Sequence, residues 1–265
     1  MLKTFGASAA LADTIEQPGL VAVAGGVLMV SDKVEHYRDD NNLEGMKRSS
    51  PVLFTVPDQL YDFGNRNDKD LGPAWRGDEA TMWLLQVDCP FEHWSVLARF
   101  NWRQEKLEWS RPGNPEQEVK FSDSGLADDR EYLVFEFWTQ TFLGRFKSSF
   151  TAPVRDVHNA MQVFAAREAR EQPWGISTTR HLSRDGVSLL GECWDRRTKT
   201  LSGRSAVIKG DPYELTVHLP QGFRLRSAAV SGEKVQARNQ GETATVCIVP
   251  SATKTAEWSM TFAKE

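Results

Sequence analysis

The feature that most constrains the fold is a succession of short strand patterns, separated by turn sequences, that runs from residue 82 to the C-terminus. Separators such as Pro220-Gln-Gly222 and Asn239-Gln-Gly241 combine residues that favour tight reversals of the backbone. Repeated short strands with turns between them are typical of antiparallel β-sandwiches. The final stretch is the densest, with candidate strands at 201–208, 213–219, 223–230, 234–237, 243–249 and 257–262.

Further strand patterns precede this stretch and predict a second, larger sandwich. They lie at 82–87, 94–102, 119–121, 131–138, 144–150 and 162–167. In the strand predicted over residues 94–102, Val96, Ala98 and Phe100 stand at every second position, so they share one face of the strand. We therefore predict a mainly β chain, with one antiparallel sandwich over residues 82–195 and a smaller one over residues 196–265.

Residues 1–52 predict a different architecture, the last βα unit or units of an α/β (TIM) barrel. Residues 1–16 have the apolar spacing of a helix, and residues 33–46 predict a second helix. Between them, residues 20–30 form a continuous apolar run, which is typical of a strand buried on both faces. Such a unit alone would leave an unpaired apolar strand, so we expect an N-terminal half to be missing. Residues 53–81, rich in Pro, Asn, Asp and Gly, predict a linker.

Ser31 and Asp32 directly follow the predicted buried strand, which makes them candidate substrate-binding residues. In α/β enzymes, functional groups collect at the carboxyl ends of the parallel strands. The alternative is that Asp32 only caps the helix that follows and contacts no substrate.

Composition excludes several classes of partner. The formal net charge is −4 and no run of five basic residues occurs, so no nucleic-acid partner is expected. The longest uncharged apolar run, residues 19–30, is shorter than the roughly 20 residues that span a bilayer, so no membrane partner is expected. Asp13 and Glu16 precede that run where a signal peptide would be basic. We therefore expect a cytoplasmic location for the chain as given, and an unknown one if an N-terminal half carries a signal.

No cofactor and no metal site are predicted. Cys89, Cys193 and Cys247 lie far apart and form no Cys-x-x-Cys pair, so we expect core thiols rather than disulfides or a zinc site. The five histidines show no spacing typical of a metal site. For His181 we expect a hydrogen-bonded structural role, because catalysis would also require a nucleophile and an orienting acid within reach.

Four segments, taken in their order along the chain, resemble the C-terminal portion of α-galactosidase-like glycoside hydrolases of the melibiase clan. They are Ala24–Asp32, Trp94–Trp102, Glu131–Trp138 with Leu143-Gly144, and Ser177–His181. The order of the segments carries the resemblance, which covers most of the chain from about residue 20. It implies that an α/β barrel ends near Asp32 and that a β-sandwich follows.

The resemblance also implies a function. Retaining glycosidases of this kind use two carboxylates roughly 5 Å apart, and in the family they follow the fourth and sixth barrel strands. The chain resembles the family only from about the seventh helix, so no catalytic residue is assigned. We expect an accessory region for α-galactoside-like substrates, in which Ser31 and Asp32 would line the sugar pocket. The implied partners are carbohydrate and either a missing N-terminal half or a separate barrel-bearing chain.

A stand-alone module is the alternative, namely a carbohydrate-binding or protein-interaction β-sandwich without catalysis. Aromatic side chains that stack against sugars would be exposed in such a module. Trp109, close to a turn, is the candidate substrate-binding tryptophan, whereas Trp94, Trp102 and Trp138 are expected to pack in the core.

Overall fold

The computed structural model describes residues 18–25, 35, 40–53, 58–60, 82–101, 116–153, 160–184 and 186–264. Within them the chain is mainly β, as predicted, with the helices α1 (residues 18–24) and α2 (Asp40–Ser49) and a short 3-10 helix at Ser122–Ser124. The strands are β1 (Asp58–Leu60), β2 (Met82–Cys89), β3 (Glu92–Asn101), β4 (Glu116–Lys120), β5 (Glu131–Glu136), β6 (Thr141–Lys147), β7 (Ser149–Pro153), β8 (Ala160–Glu168), β9 (Trp174–Thr178), β10 (Leu189–Asp195), β11 (Thr200–Val207), β12 (Tyr213–His218), β13 (Phe223–Val230), β14 (Gln236–Gln240), β15 (Thr243–Ile248) and β16 (Lys254–Lys264).

Helix α1 occupies the first part of the strand predicted over residues 20–30, so that prediction is wrong for residues 20–24. Gly25 ends the helix with a φ of 68°, a left-handed conformation typical of helix C-termini. A short apolar run fits a buried helix as well as a strand. The predicted helix 1–16 lies outside the described residues, and a barrel remnant is not shown.

Helix α2 overlaps the end of the helix predicted over residues 33–46 and continues to Ser49. The Glu44 carboxylate accepts a hydrogen bond from Nε of Arg48 at 2.9 Å, a stabilising pair one helical turn apart. Strand β1 lies inside the predicted linker and pairs with β2. Linker residues 54–57 and 61–81 lie outside the described part of the chain.

The chain divides into two compact units. Unit 1 lies within residues 1–86 and 95–166, and unit 2 within residues 87–94 and 167–265. Strands β9 and β10 therefore belong to unit 2, whereas the sequence patterns placed them in the first sandwich. The predicted boundary near residue 195 differs from this division, and the four predicted domains stay a prediction.

Unit 1 contains a sheet with the strand order β1-β2-β3-β8-β5-β6, in which the pairs β1–β2, β3–β8 and β5–β6 are antiparallel, and an antiparallel two-stranded ribbon, β4-β7. Their apolar side chains form one core. The Phe150 ring of the ribbon lies 5.3 Å from the ring of Phe164 in the sheet and 5.8 Å from that of Phe121, between ring centroids. Such tilted aromatic contacts hold the ribbon against the sheet.

Unit 2 is a β-sandwich of two four-stranded antiparallel sheets, with the strand orders β10-β11-β16-β13 and β14-β15-β12-β9. Side chains alternate along the strands, so that Trp258, Met260 and Phe262 of β16 point inward and are buried. They share a core with Val217 of the facing sheet. The strand patterns predicted over residues 201–262 are confirmed, with ends that differ by a few residues.

The two sheets of this sandwich meet along two seams. At each seam, one side chain forms hydrogen bonds to the backbone of the other sheet. At the seam between β13 and β14, Oδ1 of Asn239 accepts a hydrogen bond from the N–H of Leu225 at 2.9 Å. Its Nδ2 donates to the Leu225 carbonyl at 3.2 Å. At the opposite seam, between β9 and β10, the N–H of Gly175 donates to Oε1 of Glu192 at 2.8 Å.

Candidate functional site

A cleft of about 770 Å³ lies on the outer face of the β10-β11-β16-β13 sheet of unit 2. Strand register sets two rows of outward-pointing residues side by side, and these rows form its floor. One row is Cys193, Ser202, Ser259 and Ala229, and the other is Gly191, Arg204, Glu257 and Ser231. Most of these residues are small, and the face of the sheet is hollow for that reason.

The cleft has an apolar side and a charged pair. Pro90 and Phe91, at the tip of the β2–β3 hairpin, line it together with Leu190, which is 43% exposed. Arg204 and Glu257 stand opposite each other on β11 and β16, and both are exposed. Guanidinium, carboxylate and hydroxyl groups beside an apolar surface suit a ligand that has both hydroxyl and C–H faces.

A third row, which runs between the two floor rows, points the opposite way into the sandwich. It consists of Glu192, Gly203, Trp258 and Val230. Trp258 crosses β11 at Gly203, and its Nε1 donates to Oγ of Ser205 at 3.0 Å. A Cβ atom on Gly203 would lie 2.3 Å from Cζ2 of Trp258 and 2.4 Å from the Gly191 carbonyl oxygen. Glycine is therefore required here, and the cleft floor is tied to the packing of the core.

A buried network of charges, also in unit 2, is centred on Arg167. Its Nη1 donates to Oε2 of Glu92 at 3.1 Å and to the Gly175 carbonyl at 2.7 Å. Its Nη2 donates to the Arg184 carbonyl at 3.0 Å. The guanidinium carbon lies 4.0 Å from the ring centroid of Trp94, a cation–π contact. Arg167 thus joins the hairpin tip to β9 and to the turn that follows β9.

Glu92 is held on several sides within this network. Besides Arg167, Nε1 of Trp174 donates to its Oε2 at 2.9 Å, and Nη2 of Arg170 lies 3.4 Å from its Oε1. The Arg170 guanidinium also stacks on the Trp174 ring at 3.9 Å. A buried carboxylate with this many donors has a structural role, because its desolvation is offset by charge-assisted hydrogen bonds.

Glu192 is a second buried carboxyl group, and its situation is different. Its Oε1 accepts the Gly175 hydrogen bond, whereas Oε2 has no hydrogen-bond partner among the described residues. Burial raises the pKa of Glu192 to about 7, against the lowering influence of Arg167 and with a further increase from the charge of Glu92. A Cβ on Gly175 would lie 2.8 Å from Oε1, so glycine is needed for this approach.

The residues predicted to bind substrate cannot be placed in this site. Ser31, Asp32 and Trp109 lie outside the described residues, so their roles stay predictions. Trp94 and Trp138 are buried, and their predicted core positions are confirmed. None of the cleft residues was identified as functional from the sequence.

His181 is fully buried, and its predicted hydrogen-bonded position is confirmed. Its Nδ1 lies 2.7 Å from Oγ of Ser183 and accepts the Ser183 N–H at 3.1 Å. The cysteines depart from the sequence expectation, since Cys193 is exposed in the cleft floor and Cys89 and Cys247 are half-buried. The prediction of a core thiol is wrong for Cys193 because it lies on the outward row of an edge strand.

Two classes of feature are missing from the described part of the chain. No three or more His, Cys, Asp or Glu side chains are grouped there as metal ligands would be. No helix within the described residues is both long enough and apolar enough to cross a bilayer.

Comparison with known proteins gives no family. No protein-family model matches the chain, and no curated protein matches it. One similar solved structure is that of Arthrobacter globiformis T6 isomalto-dextranase complexed with panose, with 16% sequence identity and a TM-score of 0.40. The similarity covers 98% of this chain and 46% of that one, so the chain spans less than half the length of that protein. A likeness at this level carries no argument about function, which has to come from the residues of the site.

Proposed function

We propose that this chain is a carbohydrate-binding accessory region of a glycoside hydrolase, and that the cleft of unit 2 is its sugar site. The observation that carries the proposal is the combination of hydroxyl-bearing and charged residues with an apolar side in one cleft. The ordered segments that resemble α-galactosidase-like enzymes favour α-galactosides as the ligand. Hydrolysis would belong to a barrel, in an N-terminal half or a separate chain, and Ser31 and Asp32 would line the pocket of that barrel.

The chemistry of the cleft fits a sugar in detail. Sugar hydroxyls both donate and accept hydrogen bonds, and the serine hydroxyls at 202 and 259 can do the same. Arg204 supplies donors and Glu257 supplies acceptors on the neighbouring row. Phe91 offers an aromatic surface for the C–H face of a pyranose ring. The volume of about 770 Å³ lies within the usual range for small-ligand sites.

The carboxylates of unit 2 favour binding over hydrolysis at this cleft. Glycosidases place two carboxyl groups on either side of the scissile bond. Among the described residues that line the cleft, only Glu257 turns a carboxylate outward, because Glu192 belongs to the inward-pointing row. A single exposed carboxylate can orient a sugar but cannot complete a pair.

A protein-interaction module is the second candidate, because the apolar side of the cleft ends in the exposed side chain of Leu190. An exposed apolar group at the rim of a cleft is also what a protein partner would cover. Under this alternative the cleft has no affinity for free sugars.

Calorimetric titration of the full chain tests the proposal. An α-linked galactose disaccharide and an α-linked glucose disaccharide are the two ligands. We expect binding of the galactoside, and a loss of about tenfold or more in Arg204→Ala, because a hydrogen bond from a charged group is removed. Arg226→Ala is the matched control, since Arg226 is exposed on β13 but does not line the cleft.

Each outcome of the titration has a definite meaning. Binding of the glucoside alone would keep the site and overturn the α-galactoside preference. No binding of either sugar, or equal losses in Arg204→Ala and Arg226→Ala, would overturn the proposed sugar site.

A further inference from the structure

Glu192 lies where the floor of the cleft meets the seam of the sandwich. Its backbone is part of the floor, between Gly191 and Cys193, while its side chain points inward to the other sheet. There Oε1 accepts the N–H of Gly175, which belongs to β9, the edge strand of the facing sheet. This one hydrogen bond connects the two edge strands at the side of the cleft.

The surroundings of the carboxyl group favour its neutral form. Oε2 is buried and has no hydrogen-bond partner among the described residues, so an ionised group would have one unsatisfied charged oxygen. Three charged groups act on Glu192 from the elements around it: Arg167 at the end of β8, Arg170 in the connection to β9, and Glu92 on the hairpin tip. Gly203, its partner on β11, carries no side chain.

Neither arginine donates a hydrogen bond to Oε2 of Glu192. The Nε of Arg167 has no hydrogen-bond partner among the described residues. Both η nitrogens of Arg167 are engaged with Glu92 and with backbone carbonyls, and Arg170 is engaged with Glu92 and the Trp174 ring. A second negative charge would therefore compete with Glu92 for the same two cations. In the observed position Oε2 of an ionised Glu192 receives no hydrogen bond from the described residues, and it would gain one from water by moving toward the cleft.

We propose that Glu192 is a proton-operated latch that regulates the cleft: the neutral carboxyl holds β10 against β9, and the ionised carboxylate releases that edge of the cleft floor. Release affects Leu190, Gly191 and Cys193, which line the cleft from the same strand. The cleft is then well formed below neutral pH and loosened above it. The consequence for sugar binding rests on the proposed function, whereas the latch itself does not.

The size of the effect follows from proton linkage. The pKa is about 7 in the closed state and 4.5 for a solvated glutamate. Between pH 6 and pH 8, Glu192 is ionised throughout in the open form, whereas in the closed form it loses its proton. The equilibrium constant for opening therefore rises about tenfold.

Amide hydrogen exchange of the full chain tests the latch directly, with the Gly175 N–H as the reporter because it donates to Glu192. After correction for intrinsic exchange rates, we expect its protection to fall about tenfold from pH 6 to pH 8. In Glu192→Gln, which keeps the acceptor but cannot ionise, the protection should not change with pH. Glu257→Gln, an exposed carboxylate on the same sheet, should keep the profile of the natural chain.

The outcomes separate the latch from the proposed function. If the protection of the Gly175 amide does not change with pH in the natural chain, the latch is overturned without the need for any variant. An equal fall of this protection in Glu192→Gln overturns it too. With the latch in place, the sugar should bind more tightly at pH 6 than at pH 8 in the natural chain and equally at both in Glu192→Gln. If the sugar binds equally tightly at pH 6 and pH 8 in the natural chain, the regulation of the cleft is overturned, but the latch and the sugar site are not. A pH-dependent Gly175 amide without any sugar binding keeps the latch and overturns the proposed sugar site.

Discussion

The substitution Gly203→Ala should destabilise unit 2 strongly, because two neighbours occupy the space that the methyl group would need. The new Cβ would lie 2.3 Å from Cζ2 of Trp258 and 2.4 Å from the carbonyl oxygen of Gly191. Carbon atoms in contact normally stay about 3.5 to 4.0 Å apart. Both contacts must therefore be relieved by movement.

Neither neighbour can move cheaply. The Trp258 ring is buried and held by the hydrogen bond from its Nε1 to Ser205. The Gly191 oxygen belongs to the backbone of β10, so shifting it would disturb the pairing of β10 with β11. We therefore expect a cost at the upper end of the range for overpacking, about 3 kcal/mol.

Gly191→Ala is the matched control on the neighbouring strand. No atom lies within 4 Å of the Cβ that it would add. Since alanine also restricts the unfolded chain, this variant should be neutral or more stable by up to about 1 kcal/mol. Urea unfolding followed through amide signals of unit 2 measures both. Equal midpoints for the two variants would refute the packing argument at Gly203.

Three further predictions concern the seams and the buried network. The natural chain binds a proton on folding between pH 4.5 and about 7 through Glu192, so its stability should fall by about 3 kcal/mol as the pH rises across that window. Glu192→Gln should abolish this component, with stability similar to the natural chain at pH 4.5 and higher at pH 8; parallel pH profiles in urea unfolding would contradict this. Asn239→Ala should cost about 1 to 2 kcal/mol, because it removes both hydrogen bonds to the Leu225 backbone, and an unchanged midpoint would argue against that seam. Arg167→Met should lower the free energy of unfolding by about 3 to 5 kcal/mol, because the buried Glu92 carboxylate loses a cation. Arg145→Met, at an exposed ion pair, should lower it by less than about 1 kcal/mol. Similar thermal shifts for the two variants would refute this distinction.

The strands could be predicted where the signal is local. For β13 the predicted range 223–230 coincides with the strand Phe223–Val230, because turn residues bound it on both sides. For β14 the prediction of 234–237 is displaced from Gln236–Gln240, since all five residues of this strand are exposed and show no alternation. Helix α1 was missed because a short apolar run carries no period that separates helix from strand.

The site could not be predicted, since it depends on contacts between residues that are distant in the sequence. Glu92 and Arg167 are 75 positions apart, and no local pattern brings them together. The cleft floor is made of small outward residues from four different strands, each unremarkable by itself. One signal was available: Ser202-Gly203-Arg204 in a predicted strand places a glycine between two polar residues, and a glycine inside a strand indicates a close approach.

Mapping of amide chemical shifts on the full chain shows whether the cleft of unit 2 binds carbohydrate. Titration with an α-linked galactose disaccharide at pH 6 should shift the amides of Ser202, Arg204, Glu257 and Ser259, which form the cleft floor. The exposed β14 strand, outside the cleft, should stay unchanged. Saturating shifts confined to the floor are the result that we predict. If no shifts appear at high sugar concentration, or if the shifts map away from these strands, the cleft of unit 2 does not bind carbohydrate.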